Sequence, residues 1–128
     1  MGIRFLSPEY MEHATRVMSD PGFAEEVGDL ELLLQLTTIG VPGEGDVDYV
    51  IAIVDGSGEM RRGRVEQADA TIRQTYETAC GLARGEVNPA AAFMTGRLRV
   101  SGDVAKLMKA QEALRSLQDR LAGLDIEY

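Results

Sequence analysis

The stretch that most constrains the fold is residues 88–109, where helix and strand signals alternate within a short distance. Asn88 followed by proline is typical of a helix start, and Gly96 is typical of the end of that helix. Residues 97–101 alternate between arginines and apolar side chains, which predicts a half-buried strand. Asp103 can cap a further helix. The stretch therefore predicts a helix, a strand and a second helix joined by tight turns.

The remaining segments predict a mixture of helices and strands in one compact unit. A length of 128 residues fits one domain. We expect an N-terminal helical segment over residues 1–29 and the main domain over residues 30–128. Each predicted strand has an apolar side, so the pattern favours an α+β fold with an antiparallel sheet of about five strands and helices packed on one face. The strands are expected at residues 30–39, 49–54, 59–65, 69–73 and 97–101.

The segments AFMTGRL (residues 92–98) and VSGD (residues 100–103), with ADATI (residues 68–72) upstream, carry a family resemblance. They closely resemble the sterol carrier protein two (sterol-binding) domain family, and the similarity extends over roughly residues 30–124. The resemblance implies an apolar tunnel between the sheet and the helices. It further implies that the tunnel holds fatty acids, fatty acyl-CoA or sterol-like lipids without catalysis and without a cofactor.

Apolar faces that meet around these segments predict the lining of such a tunnel. We expect the ligand to contact Leu34, Ile53, Phe93, Met94, Leu98, Val100, Val104, Leu107 and Met108. A basic cluster of Arg61, Arg62 and Arg64 has two interpretations. Arginine binds carboxylates and phosphates through a planar fork, so the cluster is a candidate contact for a lipid head group. The alternative is that these arginines pair with acidic residues on neighbouring strands.

Composition and single residues argue against several other functions. The formal net charge of −8 opposes binding to nucleic acid. No apolar run approaches the about 20 residues of a membrane span, so the chain is expected to be cytoplasmic. His13 and Cys80 are the only histidine and the only cysteine, so neither a zinc site nor a convincing nucleophile and base is predicted. An enzyme acting on a thioester and an accessory or protein-interaction module with a self-filled core remain as alternatives.

The C-terminal region has an apolar stripe that must be covered. From Val104 onward, apolar residues recur at spacings of three and four, which predicts one continuous amphipathic helix. Such a helix can lie across the sheet as a lid over the tunnel, or it can pair with a second copy to form a homodimer. The lid is the favoured hypothesis because sequential elements usually lie next to each other.

Overall fold

The computed structural model describes residues 2–128, which form six helices and seven strands. The helices are α1 (Pro8–Val17), α2 (Pro21–Val27), α3 (Tyr76–Ala83), α4 (Pro89–Met94), α5 (Val104–Lys109) and α6 (Gln111–Leu121). The strands are β1 (Ile3–Arg4), β2 (Leu32–Val41), β3 (Gly45–Val54), β4 (Ser57–Arg62), β5 (Ala70–Thr75), β6 (Arg99–Gly102) and β7 (Ile126–Glu127).

Five strands form the main sheet in the order β4-β3-β2-β5-β6, which confirms the predicted α+β class. The prediction of an antiparallel sheet is correct for three of the strand pairs and wrong for one, because β2 and β5 run parallel. A parallel pair needs a connection that crosses the sheet. Here that connection is the segment 63–69 between β4 and β5.

Gln35 holds this crossover against the face of the sheet that lies away from the helices. Its Nε2 donates to the carbonyl oxygens of Tyr49 and Gly63 at 3.0 and 3.1 Å, and its Oε1 accepts from the Val65 N–H at 2.9 Å. Gln35 is only 2% exposed, so these bonds replace lost contacts with water. The amide of one side chain thus fixes the path that makes β5 parallel to β2.

The other face of the sheet carries the core. Residues that pair directly across strands share a face, and the pairs Leu36–Tyr49 and Leu36–Ile72 place three strands on the same side. The helices pack on this side, with α1 against the edge strand β4. Thr15 of α1 accepts a hydrogen bond from the Met60 N–H at 3.0 Å, which protects the edge of the sheet.

Residues 2–29 contribute to the same core as the rest of the chain. Met11, Met18 and Phe23 are buried with the leucines of β2 in one cluster. At the start of the chain, β1 pairs in parallel with β7 from the C-terminus, a two-stranded sheet that was not predicted. Strands of two residues leave no periodicity from which to predict them. The division of the chain at residue 30 stays a prediction about organisation.

The C-terminal helix is two helices rather than the continuous one expected. The break falls at Ala110, which ends α5 and precedes α6 and is completely buried. Its amide donates to the carbonyl oxygens of both Lys106 and Leu107. The spacing of apolar residues survives this break, so periodicity alone could not reveal it.

Candidate functional site

A cavity of about 580 Å³ lies between the helix-facing side of the sheet and the helices α1, α3 and α6. Its buried wall is mostly apolar, as expected for a sheet face and helix stripes turned toward each other. The buried lining residues are Phe5, Leu6, Tyr10, Leu34, Leu36, Tyr49, Ile51, Met60, Gln74, Ala79, Leu98, Leu117 and Leu121. The volume falls within the range of about 300–1,000 Å³ that is usual for small-molecule sites.

The exposed lining residues indicate where the cavity opens. They lie at the beginning of α4, including Asn88 and Ala90, and on the outer side of α6, including Gln111 and Arg115. The charged residues of the lining all belong to α6 and are exposed: Glu112, Arg115 and Asp119. The cavity is therefore apolar inside and polar at its opening.

Helix α6 forms one wall of the cavity and is held in place at both flanks. Its own residues Leu117 and Leu121 are buried and line the cavity. Arg120 forms an ion pair with Asp20 at 2.7 Å, and Gln118 donates to the carbonyl oxygen of Leu82 at the end of α3. The apolar stripe of α6 is thus buried within the same domain, where α6 packs mainly against α1 and α2. A role of α6 as a lid stays a prediction.

The structure brings only two of the predicted ligand residues, Leu34 and Leu98, to the cavity lining. Ile53 is buried in the core outside the lining, whereas Val100 and Leu107 are half-buried. The exposed ones are Phe93, Met94, Val104 and Met108, at 48%, 84%, 37% and 58%. The physical reason is that the short helices α4 and α5 turn these side chains toward solvent. Contact of these residues with a ligand stays a prediction.

The residues that sequence reasoning missed lie on the floor of the cavity and on α3. Leu36 pairs directly with Ile72, Ile51 pairs with Leu34 on the same face of the sheet, and Ala79 lines the cavity from α3. The alternation within each strand was a usable signal, because Leu34 and Leu36 share a face. The alternation does not give the register between strands, and the register decides which side chains of neighbouring strands lie side by side.

The arginine cluster lies outside the cavity lining and pairs with acidic residues. Arg61 bonds to Glu59 at 3.3 Å, Arg62 to Glu44 at 2.7 Å and Arg64 to Asp48 at 3.1 Å. Arg62 also donates to the carbonyl oxygen of Leu6 through Nη2 at 2.7 Å, and its guanidinium lowers the pKa of Glu44. The three guanidinium groups are therefore already engaged, and their contact with a lipid head group stays a prediction.

The reactive side chains are poorly placed for chemistry on a ligand. Cys80 and His13 are both absent from the cavity lining. Burial raises the pKa of the Cys80 thiol, and burial together with the Cys80 hydrogen bond raises that of Tyr76 to about 12. Within residues 2–128, no group of three or more His, Cys, Asp or Glu side chains is arranged to hold a metal ion. No helix in the same range is long and apolar enough to cross a membrane.

Comparisons with known proteins agree with this fold. Sterol carrier protein 2 from Gallus gallus is 31% identical over 70 residues, which cover 55% of this chain and 13% of that protein. A crystal structure of sterol carrier protein 2 superposes with a TM-score of 0.74 at 20% identity and covers 94% of this chain and 98% of the other.

The sterol carrier protein domain 2 of Helicoverpa armigera has a TM-score of 0.64 at 26% identity, with 90% and 87% of the two chains covered. The family model of the SCP-2 sterol transfer family matches residues 19–115. The match includes the whole five-stranded sheet and the beginning of α6. This chain belongs to the SCP-2 sterol transfer family.

Proposed function

We propose that the protein binds or transfers an apolar lipid in the cavity and does so without catalysis. The observation that carries the proposal is the cavity itself, about 580 Å³ in volume, with an interior wall of aliphatic and aromatic side chains. A fully packed interior has few voids larger than a water molecule. A space of this size in a domain of 128 residues is therefore more consistent with a ligand site than with a packing defect.

The energetics favour a long apolar tail. Each buried methylene contributes about 0.8 kcal/mol, so a chain of ten methylenes gains about 8 kcal/mol before the costs of association are subtracted. We infer that fatty acids, fatty acyl-CoA and sterol-like lipids are the candidate ligands. An SCP2-type protein from Aedes aegypti that was solved as palmitated has the same fold, with a TM-score of 0.61 at 17% identity.

A second candidate is an accessory or interaction module, and one specific observation favours it. Phe93, Met94, Val104 and Met108 leave large apolar side chains in solvent, as interaction surfaces do. A related fold also occurs inside a larger enzyme, a sec-alkylsulfatase from Pseudomonas, where the match covers 94% of this chain and 16% of that one at a TM-score of 0.57. A thioester-cleaving enzyme is the weaker alternative, because Cys80 is buried away from the cavity.

Two further expectations remain predictions. A homodimer through the C-terminal helix would have to use the outer side of α6, because Leu117 and Leu121 are buried in the core. A cytoplasmic location also remains a prediction.

Native mass spectrometry before and after organic extraction tests the proposed function. We expect the untreated protein to carry an extractable mass of lipid size, and the extracted protein to bind a fluorescent fatty acid. A protein that carries no lipid and does not bind the probe after extraction would contradict the carrier and leave the interaction module as the better account. Turnover of a fatty acyl thioester that is lost in Cys80→Ala would favour the enzyme.

A further inference from the structure

Two glutamines are buried in the sheet on neighbouring strands, and their surroundings differ. Gln35 of β2 and Gln74 of β5 are 2% and 6% exposed. Gln35 uses both ends of its amide, since Nε2 donates to the carbonyl oxygens of Leu36, Tyr49 and Gly63 and Oε1 accepts from the Val65 N–H. The amide of Gln35 is therefore hydrogen-bonded at both its nitrogen and its oxygen, and its role in holding the crossover explains why a glutamine is buried there.

Gln74 lies on the helix-facing side of the sheet and forms part of the cavity wall. Its Nε2 donates to Thr38 Oγ1 and to the Tyr49 hydroxyl at 3.4 Å each, which is long for a hydrogen bond. Its Oε1 is buried and has no hydrogen-bond partner among residues 2–128. An unpartnered buried oxygen destabilises a fold, whereas an apolar residue would continue the row of Ala70 and Ile72. Stability alone does not explain a glutamine here.

The other polar groups in the cavity interior are uncharged. Tyr10 and Tyr49 are the remaining buried polar side chains of the lining, and burial raises the pKa of both phenols. The charged residues of the lining are confined to the exposed side of α6. An ionised carboxylate placed beside Gln74 would therefore lose its water without gaining a cation, which is costly.

A neutral hydroxyl group fits Gln74 better than a carboxylate does. A hydroxyl both donates and accepts, so it can pair with either end of the amide. The terminal torsion of glutamine is soft, and its two present hydrogen bonds are long, so the amide can turn toward the cavity. The Tyr49 hydroxyl, which already bonds to Gln74, adds a second group that can donate or accept.

We propose that Gln74 determines ligand specificity by binding a neutral hydroxyl at the inner end of the lipid. The lipid then lies with its polar end inside the cavity and its tail toward the opening. The cavity accordingly prefers a long-chain alcohol or another hydroxylated lipid over an ionised fatty acid of equal length. This inference rests on the proposed lipid-binding function.

Dodecan-1-ol and dodecanoate are a matched pair of ligands for the test. Their affinities are measured by displacement of a fluorescent fatty-acid probe from lipid-free protein. The variant Gln74→Met removes the amide at nearly constant volume, and the control Leu36→Met changes the same wall without changing its polarity. We expect Gln74→Met to bind dodecan-1-ol about five-fold more weakly, the loss of one hydrogen bond of about 1 kcal/mol, and to bind dodecanoate as before. Leu36→Met keeps the preference for the alcohol.

Thermal unfolding separates this role from a structural one. Gln74→Met is expected to melt close to the wild-type temperature, because it removes an unpartnered oxygen together with two long hydrogen bonds. Gln35→Met loses hydrogen bonds of normal length and is expected to melt lower. A Gln74→Met protein that unfolds more easily or fails to fold contradicts the proposal. An unchanged ratio of the two affinities in Gln74→Met, with the probe still bound, overturns the proposal and leaves the lipid-binding function intact. Wild-type protein that binds neither the probe nor dodecan-1-ol refutes both.

Discussion

The cavity can be tested without any lipid by adding the same side chain at two buried alanines. Ala79 of α3 and Ala113 of α6 are both 4% exposed, but only Ala79 lines the cavity. A phenylalanine at either site costs about 0.5 kcal/mol in helix propensity. At position 79 the ring enters free space, and its burial contributes about 1.5–3 kcal/mol. At position 113 no such space exists, and overpacking costs about 1–3 kcal/mol.

We therefore expect Ala79→Phe to be at least as stable as the wild type and Ala113→Phe to lose about 2–3 kcal/mol of unfolding free energy. Urea denaturation with a common slope measures both values. If the ring at position 79 occupies the place of two ligand methylenes, the affinity for a fatty-acid probe falls by about 1.6 kcal/mol, more than ten-fold. Equal destabilisation of the two variants would mean that the cavity is closed in solution, and the reasoning about a ligand site would fail with it.

Two further predictions concern the segment that resembles the family. Gly96 and Gly102 both have positive φ, at 79° and 93°, but a Cβ on Gly102 would lie 2.6 Å from the Asp69 carbonyl oxygen whereas one on Gly96 meets nothing within 4 Å. Gly96→Ala should thus cost about 1–2 kcal/mol and Gly102→Ala clearly more, and equal melting temperatures would contradict this. The Leu33 N–H, at 2.7 Å, and Lys106, at 3.1 Å, lower the pKa of Asp69. Its stabilising effect is therefore present above the unfolded pKa of about 3.9 and is lost as the pH falls through the lower folded value, so the stability gap between wild type and Asp69→Asn should close in acid but not at neutral pH.

The local elements of this fold could be predicted because their signals lie within a few residues of each other. Asn88 caps α4 by accepting from the Ala90 N–H at 2.9 Å, and Asp103 caps α5 by accepting from the Lys106 N–H at 3.0 Å, both as the sequence indicated. The parallel pairing of β2 with β5 could not be predicted in this way. It depends on Gln35 binding a segment about thirty residues further along the chain, and a lone glutamine in a leucine-rich strand does not identify its partner.

The lining of the cavity was harder to predict for a related reason. Periodicity assigns a side chain to a face but does not say which faces enclose empty space. Leu34 was identified because it belongs to an evident row of leucines, yet the resemblance drew attention to Phe93 and Met94, which are exposed. Gln74 is the opposite case. From the sequence, a polar residue next to the apolar part of a strand indicates the end of that strand, and only the register, which places Gln74 opposite Thr38, shows that it faces the core.

The contacts that hold α6 indicate that the cavity exists before any ligand binds. Helix α6 is anchored by Arg120 to Asp20 and by Gln118 to the carbonyl oxygen of Leu82 on the cavity lining, while Ala110 fixes its beginning in the core. None of these contacts involves Leu36 or Ile72 on the floor, so the separation between α6 and the sheet does not depend on what fills the cavity. A preformed cavity loses less ordering free energy on binding than one that must open. The selectivity of this protein is then expected to come from the few polar groups on the wall, Gln74 first among them, since the apolar surface accepts any tail that fits.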